Sequence, residues 1–352
     1  MRERTLGRSD LSLSVVGFGS WAVGGTGYDF SWGPQDDDES VVAVRRALSL
    51  GVNWIDTAPV YGVGHSEEVV GAALRGLVHD VRRPEPAGRD HHAMPAFARH
   101  DTSNERPIIA TKWGISWDEK GHLTRDVTKT SARGEVEASL RRLGVETIDL
   151  LQIHWPVPDG AIEKAWEQTL EVVEEGKVRH AGVSNFSVAQ LERIYRIRPP
   201  ASLQPPYSML VRGIEDEVLP FCAEHGIGVV VYSPLQKGIL TGAWTKERAA
   251  SLPATDHRRT NPWFTEPELS VNIELVDGLR RLAAKSGRSP SQLAIAWVLR
   301  RPEVTAAIVG TRKPAQIEDT AAAGDWVLSA GDIEAVDELL ARREEALRTA
   351  RR

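Results

Sequence analysis

The 352-residue sequence predicts a single α/β domain, residues 1–352, folded as a closed (β/α)₈ barrel of the TIM type. The first observation is a repeated pattern, in which a helical segment ends at a glycine and a short apolar strand follows. The pattern occurs at Gly51, Gly144, Gly176 and Gly226, and a glycine after a helix takes the left-handed conformation at no steric cost. The second is that the strands are rich in Val and Ile without polar alternation, which is typical of a parallel sheet covered on both faces. The third is that eight such strands alternate with helices, which favours closure into a barrel.

The elements follow one another in a regular order. The predicted strands occupy residues 13–19, 52–56, 107–112, 148–154, 178–184, 202–205, 227–233 and 306–310. The helical patterns occupy residues 39–50, 66–78, 130–143, 161–175, 187–197, 215–225, 271–300, 314–323 and 331–350. Within 271–300, Ser289 is a favourable N-cap and Pro290 fits the first turn of a helix. The alternative, an open doubly wound sheet, would need a glycine-rich phosphate loop, and the segment from Gly17 to Gly25 lacks the following helix and the acidic residue of that motif.

One segment interrupts this pattern. Residues 79–106 contain four His, five Arg and three Pro without apolar periodicity. Such a composition is typical of a mobile surface insertion, here between the second helix and the third strand. Its histidines His91, His92 and His100 have no supporting cysteines or regular scaffold, so we predict no metal site.

Composition and charge argue against several classes of function. The net charge of −6 disfavours nucleic acid or an acidic membrane surface as a partner, since both need a large basic patch. The single cysteine, Cys222, cannot form an intrachain disulfide, and the N-terminal segment MRERTLGRSD lacks the apolar core of a signal peptide. No run approaches the roughly 20 apolar residues of a membrane span. We therefore expect a cytoplasmic protein, of unassigned oligomeric state, that acts on a small molecule.

Chemistry in such barrels lies at the carboxyl ends of the strands, and there the sequence places Asp56, Tyr61, Lys112 and His154. Each alone is explained as a cap, a packing side chain, a surface lysine or a structural histidine. Their convergence on neighbouring strand ends favours catalysis. A tyrosine has a pKa near 10, which a nearby ammonium would lower, and Asp56 would keep that ammonium charged. With His154 orienting a substrate oxygen, the group suits protonation of a carbonyl oxygen, and a cofactor must supply the hydride.

These residues lie in segments that resemble the aldo-keto reductase superfamily. The segments are GVNWIDTAPVYGVGHSEEVVGAAL, PIIATKWG, IDLLQIHWP, VRHAGVSNF, VVVYSPLQKGILTG and IVGTRKPAQIEDT. The last is similar to the G-x-R-K-P-x-Q-x-x-D motif of bacterial members. The resemblance implies a (β/α)₈ barrel that reduces aldehydes or ketones, or oxidises alcohols, with NADPH bound across the barrel mouth. It assigns Tyr61 as the general acid or base, Lys112 with Asp56 as the pair that lowers the pKa of Tyr61, and His154 as the residue that positions the carbonyl oxygen.

The same resemblance implies a set of cofactor contacts. The residues are Trp21, Ser184, Asn185, Gln204, Tyr232, Ser233, Leu235, Gly238, Gly310, Thr311, Arg312, Gln316 and Asp319. Positions 184, 185 and 204 would bind the nicotinamide carboxamide, and Tyr232 would stack on its ring. The segment 233–238 would border the pyrophosphate, and 310–319 would hold the adenosine end.

Arg312 is the expected ligand of the 2′-phosphate, because its planar fork suits bidentate binding of phosphate. For this reason NADPH is expected over NADH. The chain departs from the family pattern at Thr320, where many members carry Asn, and at Gly310-Thr311, where many carry Lys-Ser.

The substrate is left open by the sequence. Five tryptophans fall on or near the loops above the catalytic face, namely Trp21, Trp32, Trp113, Trp117 and Trp155. Aromatic walls suit sugars and other cyclic substrates, although some of these rings would instead cap the barrel core. Two other functions compete with a reductase: an NADPH-binding regulatory subunit with little turnover, and a barrel aldolase that uses Lys112 as a Schiff base.

Overall fold

The computed structural model describes residues 1–79, 106–253 and 256–350, and for residues 76–79 and 257 it describes the backbone alone. The predicted insertion at 79–106 and its three central histidines therefore lie outside the described residues, except for the two end positions of the segment.

The barrel is built from short strands. The strands are β1 Glu3–Thr5, β2 Ser12–Ser14, β3 Val16–Gly19, β4 Trp54–Asp56, β5 Ile108–Trp113, β6 Ile115–Trp117, β7 Leu123–Arg125, β8 Ile148–Ile153, β9 Val178–Ser184, β10 Ser202–Gln204, β11 Gly228–Val231 and β12 Val304–Gly310. A closed parallel barrel forms in the order β3, β4, β5, β8, β9, β10, β11 and β12, with β12 paired back to β3. The predicted (β/α)₈ barrel is thus confirmed, and the open sheet is excluded because the barrel has no edge strand.

Helices follow the barrel strands as predicted. The helices are α1 Asp37–Ser49, α2 His65–His79, α3 Ala132–Leu143, α4 Ile162–Glu174, α5 Val188–Tyr195, α6 Val218–His225, α7 Lys246–Ala250, α8 Glu268–Ala284, α9 Pro290–Leu299, α10 Pro314–Ala321 and α11 Ala330–Ala350. Gly144 and Gly226 cap α3 and α6 with φ of 68° and 65°, as the repeated pattern indicated. The predicted helical region 271–300 is two helices, because Ser289 caps a new helix. The Ser289 hydroxyl accepts from the backbone N–H of Gln292, and Gln292 Oε1 accepts from the backbone N–H of Ser289.

The first predicted strand, 13–19, is also two strands in the structure. β2 pairs antiparallel with β1, and only β3 enters the barrel. This hairpin brings Leu6, Leu11 and Leu13 against Trp54 inside the amino-terminal end of the barrel. Side chains therefore fill that end, and a ligand site is expected at the carboxyl end.

Trp54 occupies the barrel interior because its neighbour on β3 has no side chain. A Cβ at Gly17 would lie 2.2 Å from the Trp54 ring. The buried indole N–H donates to the carbonyl oxygen of Ser14 at 2.9 Å. Gly17, one of the glycines considered for a phosphate loop, thus serves the packing of the barrel core.

Candidate active site

The barrel brings the four predicted catalytic side chains to one place at its carboxyl end. Asp56 ends β4, Lys112 lies near the end of β5, and His154 follows β8 directly. Asp56 pairs in register with Gly19 of β3 and with Ala110 of β5. Because β4, β5 and β8 are consecutive in the barrel, their ends adjoin.

A buried ion pair forms the floor of this site. Lys112 Nζ lies 2.7 Å from Asp56 Oδ2 and donates to the Thr57 carbonyl oxygen at 3.0 Å. Asp56 is 3% exposed and Lys112 is 1% exposed, and the second carboxylate oxygen of Asp56 accepts from Gln204 Nε2 at 2.8 Å. Burial lowers the pKa of Lys112, and the attraction of Asp56 opposes this shift. The carboxylate thus favours the ammonium form.

The Tyr61 hydroxyl lies directly above the ion pair. Lys112 Nζ donates to it at 3.3 Å, and the centroids of the Tyr61 and His154 rings are 5.8 Å apart at 82°. The loop that carries Tyr61 is fixed by a close approach of two glycines. A Cβ at Gly62, where φ is 68°, would lie 2.0 Å from the carbonyl oxygen of Gly24. The backbone contact therefore requires glycine beside the tyrosine.

The pKa of Tyr61 differs from the expectation. Burial raises the pKa of the Tyr61 phenol well above its ordinary value, and the negative charge of Asp56 adds to the rise. The prediction that the pKa of Tyr61 is lowered is therefore wrong for the protein alone, because the lost hydration of the phenol and the charge of Asp56 outweigh the stabilisation of the phenolate by the Lys112 ammonium. Burial and the charges of Lys112 and Arg125 lower the pKa of His154 well below its ordinary value, so its imidazole is neutral.

The residues predicted to hold the nicotinamide form one hydrogen-bonded group beside the quartet. Ser184 Oγ donates to the Gln204 carbonyl oxygen at 2.8 Å, and Asn185 Nδ2 donates to the His154 carbonyl oxygen at 3.0 Å. The Tyr232 hydroxyl donates to Asn185 Oδ1 at 2.9 Å, and burial raises the pKa of Tyr232 to about 12. These contacts fix the side chains before any ligand binds.

Trp21 lies next to Tyr61. Its ring lies nearly parallel to that of Tyr61, with centroids 6.2 Å apart, and contacts Trp32 edge-on at 5.3 Å. The two tryptophans form an aromatic wall next to Tyr61.

The loop after β11 has an unusual backbone. Ser233, Gln236 and Lys237 have φ of 57°, 45° and 56°, and Gly238 has φ of 91°. Left-handed conformations cost free energy in residues with a side chain and cluster at ligand sites. Leu235 packs against the core and holds this loop on the barrel.

Of the residues predicted at the adenosine end, Gly310 and Thr311 leave open space and an unpartnered polar atom in the described part of the chain. Gln316 and Asp319 are instead hydrogen-bonded within the protein. A Cβ at Gly310 would meet nothing within 4 Å, and the buried Thr311 Oγ1 has no hydrogen-bond partner in the described part of the chain. Gln316 Oε1 instead accepts from the backbone N–H groups of Arg312 and Lys313. The Asp319 carboxylate accepts from two side chains at the start of α9, Ser289 Oγ and Gln292 Nε2.

Arg312 is held by the loop before α1. Its guanidinium donates to Gln35 Oε1 at 2.6 Å, to the Trp32 carbonyl oxygen at 3.0 Å and to the Pro34 carbonyl oxygen. Three of its five N–H groups are thus used within the protein. Burial and the charge of Arg258 lower the pKa of Arg312.

The sequence analysis did not identify two cations near this end, Arg258 and Lys237, as candidate ligands. Arg258 lies over the rings of Trp32 and Trp244, at 4.9 and 5.0 Å from their centroids, and pairs with Asp256 at 2.6 Å. Its charge also lowers the pKa of the half-buried Lys237. Lys237, Arg258 and Arg312 form what we term the basic cluster. Lys237 could have been suspected from its place in the β11 loop, whereas no pattern in the sequence marks Arg258.

A model of the Aldo/keto reductase family matches residues 15–341. The chain belongs to this family. The aldo-keto reductase YhdN of Bacillus subtilis is 34% identical, over 97% of this chain and 94% of its own length. The NADH-specific methylglyoxal reductase of Escherichia coli is 31% identical, over 94% of this chain and 96% of its own. Among solved structures, the glycerol dehydrogenase AKR11B4 from Gluconobacter oxydans superposes with a TM-score of 0.80, at 37% identity over 97% of this chain and 95% of that one.

Aldo/keto reductases are oxidoreductases that use nicotinamide cofactors, and the site of this family member fits such a group. The unpartnered Thr311 Oγ1 offers a buried hydrogen-bonding atom. Gly310 leaves open space, and the basic cluster supplies positive charge for the phosphates of a dinucleotide. Within the described ranges no group of three or more His, Cys, Asp or Glu could hold a metal ion, and none of the described helices is long and apolar enough to cross a membrane.

Proposed function

We propose that this aldo/keto reductase reduces an aldehyde or ketone to the alcohol, or catalyses the reverse reaction, with Tyr61 as the general acid or base. The observation that supports this role is that a single buried ammonium, Lys112 Nζ, contacts both Asp56 at 2.7 Å and the Tyr61 hydroxyl at 3.3 Å. The ring of His154 lies beside the ring of Tyr61. A carbonyl oxygen placed between Tyr61 and His154 would meet a proton donor on each side.

The proton in this scheme begins on the Tyr61 oxygen. Its raised pKa keeps the phenol protonated near pH 7, so it can donate when negative charge develops on the substrate oxygen. The phenolate that results lies 3.3 Å from the Lys112 ammonium, which stabilises it at the moment of transfer. A neutral His154 donates a hydrogen bond to the substrate oxygen without competing as an acid.

The cofactor, when bound, supplies the hydride. We propose that Ser184, Asn185 and Gln204 hold its carboxamide and that Tyr232 packs on its ring, with Trp21 nearby. The remaining contacts are assigned to Ser233, Leu235, Gly238, Gly310, Thr311, Arg312, Gln316 and Asp319, with Lys237 and Arg258 added for the phosphates. The amide N–H groups of Asn185 and Gln204 already donate within the protein, whereas each amide oxygen can accept a further hydrogen bond.

We propose NADPH as the preferred cofactor, on account of Arg312. Two N–H groups of its guanidinium remain after the three bonds to the 32–35 loop and could bind a 2′-phosphate. Glu39, whose charge also acts on Arg312 and whose carboxylate lies 3.5 Å from Lys313 Nζ, opposes a phosphate there. The preference is therefore expected to be modest.

The test is steady-state oxidation of NADPH and NADH by the purified protein with a panel of neutral aldehydes, for the wild type and for Tyr61→Phe. We expect Tyr61→Phe to bind NADPH normally, by fluorescence titration, and to lose about a thousandfold in kcat or more, since general acid catalysis contributes about 10²–10⁴-fold. Equal turnover in the variant would contradict the role of Tyr61. Cofactor binding without turnover in the wild type would support the regulatory subunit instead. An aldolase would need a free lysine, whereas Lys112 is paired with Asp56.

A further inference from the structure

A hairpin that the proposed mechanism does not use borders the catalytic face. β6 and β7 pair antiparallel, and Ile115 lies opposite Arg125. Ile115 is 5% exposed and packs against Ala58 and Val60 in the loop that carries the catalytic tyrosine. The hairpin therefore holds the end of β7 next to the site.

Arg125, the last residue of β7, lies over an aromatic ring of the site. Its guanidinium carbon is 4.1 Å from the centroid of the Trp155 ring. Trp155 follows His154 in the chain and packs against the same apolar cluster as Tyr61. The charge of Arg125 adds to the lowering of the His154 pKa that burial causes, and it opposes the rise that burial causes in the pKa of Tyr232. Arg125 is thus close to the reacting groups while its side chain is exposed.

The charge of Arg125 is uncompensated in the described part of the chain, where its guanidinium makes no ion pair. The neighbouring carboxylate, Asp126, is used elsewhere: it accepts from the backbone N–H and the hydroxyl of Thr128 at 2.9 and 2.6 Å, and lies 3.9 Å from Lys129 Nζ. The other cation of the site, Lys112, is neutralised by Asp56. Arg125 therefore places beside the site a positive charge that no described carboxylate pairs with.

We propose that Arg125 binds an anionic group of the substrate, so that the substrates of this enzyme are aldehydes or ketones that also carry a carboxylate or a phosphate. This proposal rests on the proposed carbonyl reduction at the same site. A guanidinium binds such oxyanions through two parallel N–H groups. The stacking on Trp155 holds the plane of the guanidinium in place, which reduces the entropy lost on binding, and the apolar surface around Trp155 accommodates the carbon atoms between the two functional groups.

The test compares aldehydes that differ only in charge. 4-Formylbenzoate is compared with its neutral methyl ester, and 4-oxobutanoate with its methyl ester, so that ring and chain substrates are both covered. Glyceraldehyde 3-phosphate against glyceraldehyde forms the phosphate arm. We expect kcat/KM to be higher for the anion in the carboxylate arms, the phosphate arm or both, with most of the difference in KM, because a distant anionic group contributes to binding in the ground state and the transition state alike.

The variants separate charge from structure. Arg125→Met keeps the length and the packing on Trp155 but removes the charge, and we expect it to lose about tenfold in kcat/KM for the preferred anion and less than about twofold for the neutral partner. Arg125→Lys should recover part of the loss. Lys120→Met, which removes an exposed cation from the turn of the same hairpin, is the matched control and should leave both substrates unchanged.

Binding measured without turnover makes the outcomes distinguishable. Tryptophan fluorescence titration with 4-(hydroxymethyl)benzoate and with its methyl ester reports the site independently of catalysis. If the wild type reduces neutral aldehydes but Arg125→Met treats anionic and neutral substrates alike, the proposal for Arg125 is overturned and the reductase function stands. If turnover is absent while Arg125→Met weakens binding of the carboxylate alone, the anion site stands and the reductase function fails. Equal losses for charged and neutral ligands would make Arg125 a purely structural residue.

Discussion

Replacement of Lys112 by Met tests the electrostatic core of the proposed mechanism. The change removes an ammonium that lies 2.7 Å from Asp56 and 3.3 Å from the Tyr61 hydroxyl. Two unit charges 3.3 Å apart interact by about 5 kcal/mol at an effective dielectric constant of about 20. Asp56 cancels part of this, and we expect a net loss of about 3 kcal/mol of transition-state stabilisation, or roughly a hundredfold in kcat.

The assay is kcat for a neutral aldehyde at saturating cofactor, together with the pH dependence of alcohol oxidation. Oxidation requires the Tyr61 phenolate as base, so its rate rises with pH through the pKa of that group. Without the neighbouring cation the phenolate is less stable and the pKa is higher. The rising limb of the profile should therefore move to higher pH in Lys112→Met.

A second variant separates catalysis from folding. Lys112→Met leaves the Asp56 carboxylate buried and unpaired, which costs about 3–5 kcal/mol of stability. The double variant Asp56→Asn/Lys112→Met has no buried charge at these two positions, and Asn at position 56 still offers an oxygen to Gln204 Nε2. We expect the double variant to melt near the wild-type temperature and to remain slow. A stable double variant with wild-type kcat and an unshifted pH profile would refute the reasoning.

Three further predictions concern the cofactor, the pH dependence of stability and the barrel core. Arg312→Ala should raise KM about tenfold for NADPH and much less for NADH, with Lys313→Ala as the neighbouring control; equal changes for both cofactors would exclude Arg312 as the 2′-phosphate ligand. Burial raises the pKa of Glu135 to about 7, so the native state keeps a proton that the unfolded chain releases near pH 4.5, and stability falls as pH rises through this window. Urea unfolding should show Glu135→Gln gaining about 3 kcal/mol at about pH 8 and little at about pH 4, whereas an equal gain at both would contradict the assignment. Gly17→Ala should cost about 2 kcal/mol or more, since its Cβ would lie 2.2 Å from Trp54, while Gly160→Ala, with nothing within 4 Å, should cost little.

The barrel and the places of the quartet could be predicted because both follow from local patterns. Apolar runs that end on Asp56, Lys112 and His154 mark strand ends, and the parallel barrel then gathers the ends of neighbouring strands. The hairpins β1–β2 and β6–β7 were missed because strands of three residues are too short to show a period of two. No local pattern in the sequence predicts where the leucines of the first hairpin pack. They are buried because they fill the amino-terminal end of the barrel.

The electrostatics could not be predicted from the same patterns. The expectation for Tyr61 counted the ammonium and the carboxylate that keeps it charged. It omitted the lost hydration and the direct effect of the Asp56 charge on the phenol, which together decide the sign of the shift. Arg312 was assigned by its motif alone, and the bonds that hold it come from residues 32–35, which are separated from it by 277 to 280 positions in the sequence. Arg258 contacts this region through Trp32. Such relations depend on tertiary packing, which sequence periodicity does not encode.

The distribution of charge around the barrel mouth links these observations. The charges of Asp56 and Lys112 cancel, so the centre of the site is close to neutral. In the proposed mechanism, proton transfer from Tyr61 would leave one negative charge there, beside a cation that is already in place. The basic cluster gathers around Arg312, which follows β12, and Arg125 stands on the hairpin after β5, three strands further round the barrel. Two anions could thus be held apart, the phosphates of a dinucleotide at one position and the acidic group of a substrate at the other. The hydride-donating ring of the cofactor and the carbonyl group of the substrate would then meet over the neutral centre. The nearly neutral pair of Asp56 and Lys112 would not attract either anionic group to that position.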